Sequence, residues 1–261
     1  MIEADLERRF GGLRRLYGDA AYERLRGLHL CVVGLGGVGS WAAEALARCG
    51  VASLTLIDLD HVSESNVNRQ VQALGRTLGQ AKAQALAERI ADIHPGCDVR
   101  TVEEFVAADN WPGLLPGPVH GLVDACDQVR AKVVLASWAR AQQLPFVTVG
   151  AAGGKRAPQR VQVEDLATVT HDPLLASMRQ RLRKEHRAPR TGVMALSAVF
   201  SREPVLQPPQ AEACDVAGDL SCHGYGSSVT VTATFGLVAS SVLIEQALAR
   251  GSAGTSKQEM L

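Results

Sequence analysis

Val33-Gly34-Leu35-Gly36-Gly37-Val38-Gly39-Ser40 lies between an apolar run, residues 28–34, and a stretch, residues 38–49, in which apolar and small residues recur at helical spacing up to Gly50. The first predicts a buried strand and the second a helix capped by Gly50. Between them the glycines follow the spacing Gly-x-Gly-x-x-Gly. A strand–turn–helix context gives that spacing its chemistry. Glycine permits the tight turn, and the backbone amides can then press against a phosphate at a helix N-terminus. Gly34, Gly36, Gly37 and Gly39 are therefore candidate ligand-binding residues.

Working outward, residues 52–58 read as a second strand ending in Asp58, 24 residues beyond Gly34. An acid at that place can take both hydroxyls of a ribose. Asp60 leaves the choice of aspartate open, with Asp58 nearer the apolar strand. Residues 79–93 form an amphipathic helix halted before Pro95, and 98–102, 119–124 and 144–150 read as strands, with a helix over 127–142. This alternation predicts an α/β fold, a Rossmann-like, doubly wound and mostly parallel sheet.

Past Lys155 the rhythm changes. A strand is expected at 160–163, a basic helix at 173–186, a strand at 192–201 and a loop at 203–220. The expected organisation is a nucleotide-binding core over 1–154, a smaller C-terminal α+β extension over 155–250 that completes the sheet, and a flexible tail over 251–261. No internal repeat is present.

The residues after the second strand separate a dinucleotide from a triphosphate. Asn66-Val67-Asn68-Arg69-Gln70 sets an arginine among amides, and Lys82 follows on the next helix. Hydride transfer needs no extra cations there, whereas nucleotidyl transfer from ATP builds charge on phosphates that cations stabilise. Asp124-Ala125-Cys126-Asp127 then ends the fourth strand. Gly34, Asp58 and Asp124 all fall at the carboxyl edge of the sheet, where such folds bind ligands. An acid opposite phosphate-binding cations suits Mg2+, with Asp127 as the ligand. Aspartate also favours a helix N-cap, and the two roles are compatible.

Composition narrows the class. The chain has 261 residues, 46% of them hydrophobic, and no formal net charge, which is ordinary for a globular protein. None of the six cysteines forms a Cys-x-x-Cys pair, which argues against a structural zinc site and for free thiols in a reducing cytoplasm. The N-terminus carries acids where a signal peptide needs an apolar core. Residues 226–244 are free of charge, but serines and threonines interrupt them, so a buried small-residue helix is expected rather than a membrane anchor.

Taken in order, 33–40, Asp58-Leu59-Asp60, Asn66-Val67-Asn68-Arg69-Gln70, Gly79-Gln80-Ala81-Lys82 and Asp124-Ala125-Cys126-Asp127 resemble the ubiquitin-activating-enzyme superfamily. Its members adenylate a carboxylate with ATP and magnesium. The resemblance implies that Gly36, Gly37 and Gly39 line the phosphates, Asp58 holds the ribose, and Asn66, Arg69 and Lys82 complete the nucleotide site. Asp127 would hold the metal. It further implies a homodimer in which an arginine near the N-terminus, Arg14 or Arg15, completes the neighbour's site; Arg14 is carried forward as the catalytic candidate. Arg9-Phe10-Gly11-Gly12, Leu16-Tyr17-Gly18, 41–48, Asp172-Pro173-Leu174, Val199-Phe200-Ser201 and 230–236 are similar to the tRNA-modifying dehydratase branch. That branch activates the carboxylate of a modified adenosine beside the anticodon.

Charge distribution agrees with an RNA partner. Residues 155–190 hold nine Lys or Arg against four Asp or Glu, while the rest of the chain holds eighteen against twenty-three. A basic segment of this kind suits phosphate contacts, though basic helices are also common as solvated faces. Cys222 beside His223 is a candidate thiol nucleophile, but attack from within the substrate on an acyl adenylate requires none. Two other readings stay open: adenylation of a ubiquitin-like sulfur-carrier protein tail, with a sulfur-transfer partner, and a nicotinamide-dependent oxidoreductase.

Overall fold

The computed structural model describes residues 4–206 and 225–258, the last eight of these as backbone. Three short helices, α1 (Leu6–Phe10), α2 (Gly12–Tyr17) and α3 (Asp19–Arg26), precede β1 (His29–Val33). There follow α4 (Gly39–Arg48), β2 (Ser53–Ile57), α5 (Lys82–Ile93), β3 (Asp98–Val102), β4 (Gly121–Asp124), α6 (Val129–Ala141) and β5 (Phe146–Val149). The chain continues through β6 (Val161–Asp165), α7 (Pro173–Glu185), β7 (Ser197–Ser201) and α8 (Val229–Gln258). The seven strands form one sheet in the order β3-β2-β1-β4-β5-β7-β6. All neighbouring pairs are parallel except β6 and β7.

Strand alternation explains the layers. Leu30 and Val32 of β1 join a core with α4, α5 and α8, while Cys31 and Val33 join another with α6 and α7. Helices thus cover both faces, as a parallel sheet requires. The order reverses between β1 and β4, which opens a crevice at their carboxyl ends. The sheet runs on without a break through β7 and β6. Val231, Phe235, Ala239 and Leu243 of α8 share the core of α4, and the Ser240 hydroxyl donates to the Ala42 carbonyl at 3.1 Å. Residues 229–250 are long and apolar enough to cross a membrane, yet this face is built into the core.

Three elements differ from expectation. Helix α5 starts at Lys82 rather than Gly79, because Gly79 is in the left-handed region at φ +82°. Strand β7 starts at Ser197: Gly192 and Ala195 have positive φ, and the Asp165 carboxylate accepts the Met194 and Leu196 amides to form a turn. The expected tail is helical to Gln258. No proline interrupts 251–258, and extending an anchored helix avoids the cost of nucleating a new one.

Candidate active site

A cavity of about 630 Å³ opens at the β1/β4 reversal. The turn after β1 forms one wall. Gly34 has φ +83°, and a Cβ there would stand 2.8 Å from the Cys126 amide nitrogen. A Cβ on Gly39 would collide with the Gly34 carbonyl. The two glycines therefore close the loop on itself. Gly34, Gly36 and Gly37 line the cavity, whereas Gly39, expected among the phosphate ligands, does its work inside the turn as the first residue of α4. The positive end of that helix faces the cavity edge, a favourable place for an anion.

The opposite wall comes from the segment after β2. Asp58 is buried, and its carboxylate accepts the amides of Leu35 at 2.6 Å and Asp60 at 2.8 Å. One side chain thus ties the glycine turn to the end of β2. Burial pushes the Asp58 carboxyl above the usual range, against the pull of Lys82 and the two amides. Lys82 is buried to 7% exposure, and its Nζ donates to Asp60 Oδ2 at 2.6 Å. The two aspartates left open by the sequence therefore divide the work: Asp58 shapes the loop and Asp60 is the counter-ion of Lys82.

Arg69 reaches the cavity with Nη1 held by the Ser65 carbonyl at 2.6 Å and Asn68 Oδ1 at 2.9 Å. The Trp41 indole donates to the Arg69 carbonyl at 2.9 Å. Asn66 is buried in the same wall, and its Oδ1 accepts the Ser63 amide at 3.0 Å. The side chain thus shapes the turn that presents Arg69.

The floor follows β4. Asp124 is fully buried, paired with Lys132 at 3.1 Å, and accepts the Thr148 hydroxyl at 2.7 Å and the Cys126 thiol at 2.8 Å. It is committed to the interior. Burial, then Asp124, holds the Cys126 thiol far above its ordinary range, so it is no thiolate nucleophile. Asp127 is exposed in the cavity and makes no hydrogen bond or ion pair with a described residue. It is not the helix cap: the backbone is still extended at Gln128, which takes the cap position, and α6 starts only at Val129. A free carboxylate beside a wall that suits phosphate oxygens fits Mg2+, which binds through one or two carboxylates and substrate phosphates.

Other charged candidates lie outside this cavity. Arg14 does not line the cavity of its own chain. It binds Asp19 at 2.9 Å, Glu23 at 3.0 Å and Glu7 at 3.4 Å and stacks over Tyr22. Asp19 and Glu7 together raise its proton affinity further. Arg15 is exposed and has no partner among the described residues. Lys155, counted with the basic segment, is buried, with its ammonium on the carbonyls of Ser201 and Glu203 at 3.2 and 2.8 Å. Cys222 and His223 lie outside the described residues. Phe105 and Val106 complete the wall from a loop that carries no motif, beside Pro173, Leu174 and Thr232, which stand in stretches marked in the sequence only by their family resemblance. These are single apolar or small residues in loops or at helix starts, and no spacing connects them.

Comparison with known proteins places the chain among carboxylate-adenylating folds. A ThiF family model matches residues 9–255. The tRNA threonylcarbamoyladenosine dehydratase of Escherichia coli (strain K12) is 42% identical over 252 residues, 93% of this chain and 94% of that protein. The dehydratase of the same name from Haemophilus influenzae is 38% identical over 249 residues, 94% of this chain and 95% of that one. The crystal structure of the E. coli enzyme in complex with ATP superposes with a TM-score of 0.86 at 41% identity, covering 97% of this chain and 99% of that one.

Proposed function

The chain belongs to the ThiF family, and from that premise we propose that it is an ATP-dependent dehydratase of threonylcarbamoyladenosine in tRNA. The observation that carries the reading is the near-complete coverage of relatives bearing that activity in their names, through the extension beyond residue 155. In the first step a carboxylate oxygen of the modified adenosine attacks the α-phosphorus of ATP, the bond to the bridging oxygen breaks, and pyrophosphate leaves. A nucleophilic atom of the same substituent then attacks the acyl carbon, loses its proton and expels AMP. A ring closes with net loss of one water, whose oxygen leaves in the AMP. Asp58 and the glycine turn shape the nucleotide wall, while Lys82 and Arg69 offset the charge that grows on the phosphates. Asp127 would hold magnesium, which when bound neutralises phosphate charge. Bringing the acyl adenylate and its internal nucleophile together needs no enzyme thiol.

We read the assembly as a cytoplasmic homodimer in which α2 completes the neighbour's site, with Arg15 rather than Arg14 as the reaching cation. Of the two, Arg15 is the one with no acid partner among the described residues. Helix α8 then serves as a core helix and not as an anchor. A sulfur-transfer protein remains a further partner of this reading. The test is to incubate tRNA bearing the modified nucleoside, ¹⁸O-labelled in its carboxylate, with ATP and magnesium. Loss of one water from the nucleoside, with label appearing in AMP, is expected. ADP and phosphate as products, or unlabelled AMP, would overturn the adenylation route.

A further inference from the structure

Several half-buried or buried cations of this chain stand beside acids, as Arg89 does beside Glu44, Lys132 beside Asp124 and Arg202 beside Glu164, while others, such as Lys155 and Arg69, rest on backbone carbonyls. The half-buried Arg179 and Arg183 of α7 also have no acid within ion-pair range among the described residues. Arg179, Arg183, Lys184 and Arg190 line a separate cleft of about 610 Å³ with Ala176 and Gln180. None of the four forms an ion pair with a described residue. Two are fixed in place: Arg179 Nη1 donates to the carbonyls of Leu166 and Val169 at 3.1 and 2.6 Å, and Arg183 Nε to that of Pro189 at 3.1 Å. Those carbonyls occupy only part of each guanidinium, which carries five donors. Burial, then the charge of Arg183, lowers the proton affinity of Arg179, as expected of neighbouring cations with no anion between them.

We infer that this cleft is a phosphate-binding site for the backbone of the RNA substrate, with Arg183, Lys184 and Arg190 as its contacts. The inference rests on the proposed tRNA reading and adds to it where the polymer runs. Four cations with no acid partner among the described residues call for an anion, and the fixed guanidinium forks match phosphate oxygens. The lining offers no aromatic face on which a base could stack, so the site reads backbone and not sequence. Helix α7 borders both cavities. Its first residues, Pro173 and Leu174, line the nucleotide cavity, and Arg183 follows nine residues later. At the rise of an α-helix that separation is about 14 Å. An RNA whose modified base enters the main cavity therefore keeps its flanking backbone within reach of the cleft.

The test uses the full chain with Lys184→Gln and Arg190→Gln together. Both residues are exposed and neither side chain holds a described hydrogen bond. A charge-matched Arg8→Gln/Arg76→Gln double variant serves as control. Binding of tRNA, ATP and inorganic pyrophosphate is titrated at several salt concentrations. The cleft variant is expected to bind tRNA roughly tenfold more weakly at about 0.1 M salt, with a salt slope shallower by about 1.5. ATP affinity should match the parent, and the control should bind tRNA as the parent does. Unchanged tRNA affinity and slope in the cleft variant would overturn the inference while leaving the tRNA reading intact. Loss of pyrophosphate binding alone would overturn it in favour of a small-anion site. A parent chain that binds ATP but no tRNA would overturn the inference and the tRNA reading together.

Discussion

Asp127 stands out because it is an exposed carboxylate in the cavity with no hydrogen-bond or ion-pair partner among the described residues. A side chain so placed carries little packing, so its removal should separate chemistry from folding. Asp127→Asn is expected to lower turnover by roughly two to three orders of magnitude. Its melting temperature should stay within about 2 °C of the parent. Steady-state AMP release and a thermal melt on the same preparation check both, and near-normal turnover would move the metal role to another residue. The neighbouring arginines offer a second separation. Arg14 belongs to a network with Glu7, Asp19 and Glu23, whereas Arg15 projects from the same helix with no partner among the described residues. Arg14→Ala should lower the melting temperature and leave turnover close to parental. Arg15→Ala should leave the melt unchanged and reduce turnover by about 10²-fold. The reverse pattern would return the catalytic assignment to Arg14.

At the scale of elements, the packing of α4 against α5 depends on a buried acid. Glu44 is 4% exposed and accepts from Arg48 at 2.8 Å and from Arg89. Burial alone would raise its carboxyl, but the two guanidinium groups outweigh that and hold it below the usual range. A depressed folded pKa means the stabilisation is present above the unfolded value and is lost as pH falls through the folded one. Glu44→Gln should therefore destabilise by about 2 kcal/mol at pH 7, a figure below that for fully buried pairs because the arginines are part-exposed. The gap between parent and variant should close toward pH 3; a gap independent of pH would mean that shape, not charge, is what Glu44 supplies. Much at this scale was legible in the sequence. Continuous apolar runs and glycine punctuation located β1, β2, β4 and β5 within a few residues, since both faces of those strands are buried. Strand β3, by contrast, is a partly exposed edge strand whose sequence mixes polar and apolar residues. The basic segment was less legible. Charge counting placed Lys155 and Arg179 on a binding face, yet one is buried on two carbonyls and the other braces the turn before α7. A sequence shows which side chains carry charge but not which of them meet a carbonyl in the fold.

At the scale of the whole molecule, the single chain leaves its own site and its own N-terminal helix mismatched. The cavity has Arg69 and Lys82 on one wall and Asp127 on its floor, while α2 carries Arg15, which lines no part of that cavity; neither Asp127 nor Arg15 has a partner among the described residues. Two-fold pairing would resolve both at once, because in a closed dimer each chain both gives and receives the same contact. The consequence is quantitative. On that pairing, Asp127→Asn would spoil the site in the core of its own chain, whereas Arg15→Ala would spoil the site in its neighbour. In a mixed dimer of the two variants, one site then carries both lesions and the other carries neither. Random exchange between equal amounts makes half of the dimers mixed, each with one intact site of two, so activity should recover to about one quarter of the parental value per chain. Each variant alone should stay near its own residual rate. Subunit exchange is verified separately, with differently tagged chains captured together. Exchange without recovery would show that each chain completes its own site, and α2 would then be a structural element only.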